Sequence, residues 1–387
     1  MSGNRYIYFD HAAATPVDSR VAKVMQPFFS EEFFNPSSLY APAVMVRKAV
    51  DDAKHKIAIN IGANKDDCII TAGATESINL AMTASQGGSV ITSAIEHPAV
   101  LESAKQYPYS IAGVGANGII DLQSISRLIT PETQLVSVGL ANHELGTIQP
   151  LSEIAELVSK ERLRRRQSGD NRPIWLHADA SQGVGQLDIS VNRLGVDLLT
   201  INSGKIYGPK QVGLLWRRAG VELKPIIFGG GQEMGLRSGT ENVAGAIGFA
   251  EALDIANKHR KSERKRLSDL REVMRKILFG SLGDKVEEIG DKKRRLSSHM
   301  MLAFSGIDAE RLVYLLEAKD ILVSTGSACS ASSDQGSKVL QAIGLQEGFV
   351  RGSLRISLGR TNTQDDIITA TKEIVVAVEA EYRRLEK

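Results

Sequence analysis

The chain has 387 residues, 42% of them hydrophobic, and a formal net charge of +2. That length suits two domains or one large one, with enough apolar material for sizeable cores. The near balance of charge excludes a global pull toward nucleic acid or anionic lipid, and no run approaches the ~18 consecutive apolar residues of a membrane span. The basic clusters at 160–166, 258–266 and 292–295 are short and read as solvated surface. The first residues run straight into a strand-like segment without a signal peptide's apolar region. There are two cysteines, Cys68 and Cys329, too few for a zinc cluster built on cysteine pairs, and so small a number argues against a disulfide scaffold. Together these features point to a cytoplasmic protein.

Apolar, β-rich runs alternate with amphipathic helical stretches from about residue 45 to 255. Strands are expected at 68–71, 89–93, 109–114, 134–139, 174–177, 198–202 and 213–216. Helices are expected at 43–61, 76–85, 99–106 and 152–167. Such alternation implies an α/β fold, a mostly parallel sheet with helices on both faces. Residues 244–279 read as one or two long helices leading out of this large domain. Beyond them, strand-like 300–304, 322–324 and 354–357, with helices at 308–318 and 363–385, fit a small α+β domain.

Several segments carry chemistry. Thr71-Ala72-Gly73-Ala74-Thr75 follows a strand and opens a helix, so free backbone N–H groups would face an anion there. His97, in Glu96-His97-Pro98, sits on a strand-end loop where it could stack on a planar cofactor and shuttle protons. Asp179, in His177-Ala178-Asp179-Ala180-Ser181-Gln182, and Lys205, in Asn202-Ser203-Gly204-Lys205-Ile206-Tyr207-Gly208-Pro209-Lys210, both fall at the ends of buried strands. Open α/β sheets place ligands at such ends. An acid and a lysine so placed suit pyridoxal 5'-phosphate. The amine condenses with the aldehyde, and the carboxylate keeps the ring nitrogen protonated. A surface lysine and a helix N-cap aspartate are the competing reading on spacing alone. The glycine-rich stretch 229–240 implies backbone close to a ligand or a neighbouring chain.

Cys329 lies among small residues, in Gly326-Ser327-Ala328-Cys329-Ser330, which suits a reactive thiol on an exposed loop. Cys68 opens an apolar strand and reads as a small buried hydrophobe. Arg355, in Leu354-Arg355-Ile356, could fork onto a substrate carboxylate, with a structural ion pair as the alternative.

Taken in order, these segments resemble one family. Tyr8-Phe9-Asp10-His11-Ala12-Ala13-Ala14-Thr15-Pro16, Asn35-Pro36-Ser37-Ser38 and Gly73-Ala74-Thr75-Glu76-Ser77 begin the match. Glu144-Leu145-Gly146-Thr147, Asp179-Ala180-Ser181-Gln182, Lys205-Ile206-Tyr207-Gly208-Pro209-Lys210, Arg237-Ser238-Gly239-Thr240, Gly326-Ser327-Ala328-Cys329 and Leu354-Arg355-Ile356-Ser357 continue it. The chain resembles the group I, NifS/IscS-like cysteine desulfurases of the class V aminotransferase, fold-type I PLP enzymes. That resemblance implies a seven-stranded, mainly parallel sheet in a large domain of about residues 15–255. Residues 1–14 and 256–387 would form the small domain, which carries a mobile cysteine loop at about 324–335.

The resemblance also implies roles. Lys205 would hold the cofactor and move the substrate α-proton. Asp179 would steady the ring nitrogen, Gln182 would bond the ring oxygen, and His97 would stack on the ring and handle the thiol proton. Ala74, Thr75 and Ser203 would take the phosphate, with Thr240 reaching across from the second subunit of a homodimer. Asn35 and Arg355 would hold the carboxylate of L-cysteine. Cys329 would accept sulfur as a persulfide and pass it to an iron–sulfur scaffold or a tRNA-thiolation protein, without direct nucleic-acid or membrane contact. Another PLP β-lyase, acting on selenocysteine or cysteine sulfinate, and a degenerate non-catalytic scaffold are the rival readings.

The chain departs from the family pattern at several positions. Gly204 stands where the phosphate-binding histidine is usual, and Asn202 where a phosphate-binding serine is usual, so Asn202 and Ser203 would share that task. His143 replaces the asparagine that contacts the ring oxygen. Tyr40, Met234 and Gln211 replace a histidine, an arginine and a glycine.

Overall fold

The computed structural model describes residues 6–326 and 336–386. Its strands are β1 Ile7–Tyr8, β2 Cys68–Thr71, β3 Ser89–Ser93, β4 Tyr109–Ala112, β5 Thr133–Gly139, β6 Trp175–Asp179 and β7 Leu198–Asn202. They continue with β8 Gly213–Arg217, β9 Glu287–Ile289, β10 His299–Ala303, β11 Ile321–Leu322, β12 Ser324–Thr325 and β13 Ser353–Ser357. Seven of them form one sheet in the order β2-β8-β7-β6-β5-β3-β4. In it β8 runs antiparallel to both neighbours, and the other adjacent pairs are parallel.

This sheet is buried on both sides, as parallel strands require. Successive residues point to opposite faces. Ile70, Ile91, Val136, Leu199 and Leu214 enter one apolar core. Their neighbours Ile69, Val90, Leu135, Leu198 and Leu215 enter another. Helices Ala41–Ile61 and Leu151–Gln167 cover the first face through Ile57, Ile61, Ile154 and Val158. Helix Ala74–Met82 covers the second through Ile78, Leu80 and Met82.

A smaller antiparallel sheet follows the order β12-β13-β10-β9, and β1 pairs in parallel with β11. The N-terminal strand therefore packs with the last third of the chain, through Phe9, Phe304, Leu354 and Ile374. One helix, Val243–Leu282, joins the two regions over 40 residues, a length of about 60 Å. Its first half adds Phe249, Leu253 and Ala256 to the large core. Its second half adds Leu267, Met274 and Leu278 to the small one.

Three expectations change. The strand expected at 322–324 is two short strands, because Ile321 and Leu322 pair with β1 while Ser324 and Thr325 pair with β13. β9 was not anticipated: its alternating Glu287-Glu288-Ile289 gives little apolar signal. The basic clusters are not wholly solvated. Arg165 is 1% exposed and donates to the carbonyls of Thr130, Thr133 and Pro173, tying off strand and loop ends. Arg295 is 4% exposed and bonds Glu288 and the Ile289 carbonyl. Cys68 is fully buried, and burial pushes its thiol up to about 12, which suits inert packing.

Candidate active site

A cleft of about 240 Å³ opens beyond the C-terminal ends of β5, β6 and β7. Thr75, His97, His143, Asp179, Gln182 and Lys205 all line it. Asp179 is the last residue of β6, and one of its oxygens accepts the Ser181 N–H at 2.9 Å, so the chain turns as the strand ends. Lys205 ends the 3-10 turn Ser203–Lys205 that follows β7. Asn202 starts this turn by accepting the Gly204 N–H at 2.9 Å. The Lys205 Nζ donates to the carbonyls of Ala12 and Ala13, each at 2.7 Å. Tyr8 steadies that acceptor segment by donating its hydroxyl to the Asp10 and Ala14 carbonyls.

His97 caps helix Pro98–Ala104: its Nδ1 accepts the Ala99 N–H at 3.1 Å. That bond assigns the proton of the neutral ring to Nε2. Burial lowers the His97 pKa, while the charge of Asp179 opposes the shift. The ring meets His143 edge to face, centroids 5.2 Å apart. His143 is itself held well below the usual histidine range, by burial above all. Two neutral imidazoles therefore flank one wall. Gln182 donates to the Ala12 carbonyl at 3.1 Å, fixing its amide beside Lys205.

The cleft continues into a second cavity of about 300 Å³ at the N-terminus of helix Ala74–Met82. Ala74, Thr75, Asn202 and Lys205 line both. Gly73 precedes the helix at φ 141°, a conformation that suits glycine, and a Cβ there would meet nothing within 4 Å. Free N–H groups of the first turn face this space.

Four sequence expectations sit elsewhere. Ser203 does not reach the cavity: it is fully buried, and its hydroxyl has no hydrogen-bond partner. That hydroxyl points at Gly208, whose added Cβ would lie 2.1 Å from it. Asn35 is exposed and accepts the Ser37 N–H, outside the residues lining the cleft. Thr240 lines another cavity, of about 150 Å³, which shares Ala72 and Gln211 with the one at the helix N-terminus. Arg355 is buried and bonds Asp10 at 2.7 Å and the His143 carbonyl at 3.1 Å. Cys329 lies outside the described residues.

Two buried groups beside the cleft escaped sequence reasoning. His177 bridges neighbouring strands, with Nδ1 2.8 Å from the Ser137 hydroxyl and Nε2 2.9 Å from that of Thr200. Burial pulls its pKa down to about 4, so it is neutral under Asp179. Its place two residues before Asp179, on the same strand face, was the available signal. Glu96 bonds Ser93 and accepts the Gly139 N–H at 2.8 Å, and burial pushes its carboxyl up to about 8. A carboxyl inside a β-rich core gives no sequence signal beyond adjacency to His97.

The donor set fits pyridoxal phosphate. A carboxylate, an amine and a helix N-terminus lie along two continuous cavities, in the order that a ring nitrogen, an aldehyde and a phosphate require. Such an arrangement, on a mainly parallel seven-stranded sheet, defines a fold-type I PLP enzyme.

Comparison with known proteins agrees. The aminotransferase class-V family model matches residues 7–369, and the chain belongs to that family, among its IscS-like and NifS-like members. It is 41% identical over 374 residues to "Cysteine desulfurase IscS 1" of Archaeoglobus fulgidus, covering 93% of this chain and 94% of that one. It is 35% identical to "Putative cysteine desulfurase IscS 1" of Bacillus subtilis, over 96% of this chain and 98% of that one. Among solved structures, a "NifS-like protein" superposes with a TM-score of 0.89 at 32% identity, covering 97% of this chain and all of that one. "SspA in complex with cysteine" gives 0.77 at 32% identity, over 91% and 98%.

Proposed function

We propose that this protein is a PLP-dependent cysteine desulfurase that converts L-cysteine to L-alanine and leaves the sulfur as a persulfide on Cys329. The observation that carries the reading is the convergence of Lys205, Asp179 and His97 on one cleft at three strand ends. Relatives named cysteine desulfurase over nearly the whole chain support it.

Bound pyridoxal phosphate supplies an electron sink that stabilises negative charge on the substrate carbon. The residues do the rest. The Asp179 carboxylate keeps the ring nitrogen protonated. Lys205 would hold the cofactor through its Nζ, and the same nitrogen would serve as the group that moves the substrate α-proton. His97 would stack on the ring and handle the substrate thiol proton. Gln182 and His143 bond the ring oxygen. Thr75 and the N–H groups of the first helical turn hold the phosphate. By the family resemblance Arg355, with Asn35, would receive the substrate carboxylate, although neither lines the cleft as it stands. The Cys329 thiolate would attack the substrate sulfur: the S–S bond would form as the Cβ–S bond breaks, its electron pair staying on Cβ, which would take a proton to give the methyl group of alanine.

The same reading includes a homodimer, with Thr240 completing the neighbouring site. Its support is the exposed apolar side chains Phe33, Leu39 and Phe228, at 66%, 90% and 82% exposure, area that a second copy could cover. It also includes a cytoplasmic setting and an acceptor in iron–sulfur cluster assembly or tRNA thiolation. A large domain at 15–255, with 1–14 and 256–387 as the small one, is supported by the separate apolar cores.

Cys329→Ser tests the mechanism. The expected variant keeps its yellow cofactor and loses sulfide release from cysteine. Full sulfide release would instead favour a β-lyase that works without this thiol, and a wild-type protein that takes up no cofactor would favour a scaffold.

A further inference from the structure

The phosphate cavity poses a problem of charge. A phosphate ester carries nearly two negative charges at neutral pH. The histidine that the family resemblance puts at position 204 is a glycine. Ser203, one of the two groups that could replace it, turns its hydroxyl into the protein against Gly208. Asn202, the other, accepts the Gly204 N–H with its side-chain oxygen, which leaves a neutral NH2 donor that brings no charge to the cavity.

Among the described residues lining this cavity, the cations are Lys205 and Lys210. Lys205 would be committed to the cofactor aldehyde, so its nitrogen would not be available to the phosphate. Glu76 also lines the cavity, but its oxygens accept the Ala72 N–H at 2.9 Å and Arg237 Nε at 3.0 Å, which offsets its charge.

We propose that Lys210 is the cation that holds the cofactor phosphate in this chain. The inference rests on the PLP reading above. Lys210 donates to the Thr15 carbonyl, which anchors its stem along the cavity wall. An ammonium carries three donors, and that bond uses one. The geometry also explains why a glycine at 204 matters. A Cβ there would lie 3.7 Å from Lys210 Cγ and 3.9 Å from its Cα. A histidine branching from that point would start in contact with the lysine stem and with Asn202 Oδ1, 3.4 Å away. With glycine the stem lines the cavity directly. Those distances are ordinary contacts, and Gly204 is not among the positive-φ glycines, so a histidine can be put back without backbone strain.

The test measures affinity and requires no turnover. Cofactor-free full-length protein is titrated with PLP and, separately, with pyridoxal, which lacks the phosphate, following the absorbance of the bound chromophore. Wild type, Lys210→Met and the double variant Lys210→Met/Gly204→His are compared. A lost charge-assisted phosphate contact should weaken PLP binding by ~10-fold or more. Pyridoxal binding should stay within about 2-fold, and the added histidine should recover most of the PLP loss. Unchanged PLP affinity in Lys210→Met would overturn the proposal. So would equal losses for PLP and pyridoxal, because Lys210 would then act only through its bond to Thr15. A wild type that binds neither compound overturns the PLP reading itself, an outcome distinct from either of these.

Discussion

Arg355 and Asp10 form an ion pair at 2.7 Å, with side-chain exposures of 5% and 18%. The guanidinium also donates to the His143 carbonyl, and its Nε is buried without a partner. The arginine is thus held by the Asp10 carboxylate and by the carbonyl of cleft-lining His143, while its Nε is not engaged. A substrate carboxylate approaching past His143 would find a rigid donor.

Arg355→Lys tests that role. Lysine keeps the charge and loses the planar fork. The expected result is a KM for cysteine raised by ~10-fold or more, as one bidentate contact is lost, with kcat changed much less. Steady-state kinetics check it; a fall in kcat at constant KM would place Arg355 in the structural pair alone.

Ser203 gives a prediction of opposite sign. Its hydroxyl is buried without a partner, and an unmet buried hydroxyl is unfavourable by ~1–3 kcal/mol. Ser203→Ala should therefore leave PLP affinity unchanged and keep or raise the melting temperature. A weakened affinity for PLP, with pyridoxal unaffected, would return Ser203 to the phosphate site.

Stability should pass through a maximum near neutral pH. Burial pulls His11 and His177 down to about 4 and His299 to about 3, from 6.5. Between pH 6.5 and about 4 the unfolded chain binds more protons at these sites, so stability falls as the solution is acidified. Burial pushes Glu96 up to about 8 and Glu144 to about 7, from 4.5. There the native state binds more protons, so stability present below 4.5 is lost as pH rises through 7 and 8. The histidines outnumber the acids below 6.5, and the acids act alone above it. Melting temperatures across pH 4–9 should peak near ~6.5, and Glu96→Gln should flatten the alkaline side. A monotonic profile would contradict this balance.

The sheet was legible because its strands are apolar on both faces and bounded by turn residues, as Ile69-Ile70 and Leu198-Leu199 show. Lys205 and Asp179 were legible because both stand just beyond such runs, where the fold class itself dictates a ligand site. Side-chain direction was not. A short turn fixes whether Ser203 faces the cavity or Gly208, and nothing in its neighbours' types announces that choice. Glu96 and His177 were hidden for another reason. Buried polar groups owe their place to partners far along the chain, such as Gly139 and Thr200, which no local window contains. The same holds for Arg165, read as surface within a basic cluster although it is buried against carbonyls of a distant turn.

The most direct measurement is product release from L-cysteine by the PLP-loaded protein in the presence of a reductant. Sulfide and alanine should appear in equal amounts, and Cys329→Ser should abolish the sulfide. A PLP-loaded protein that releases neither product would contradict the account.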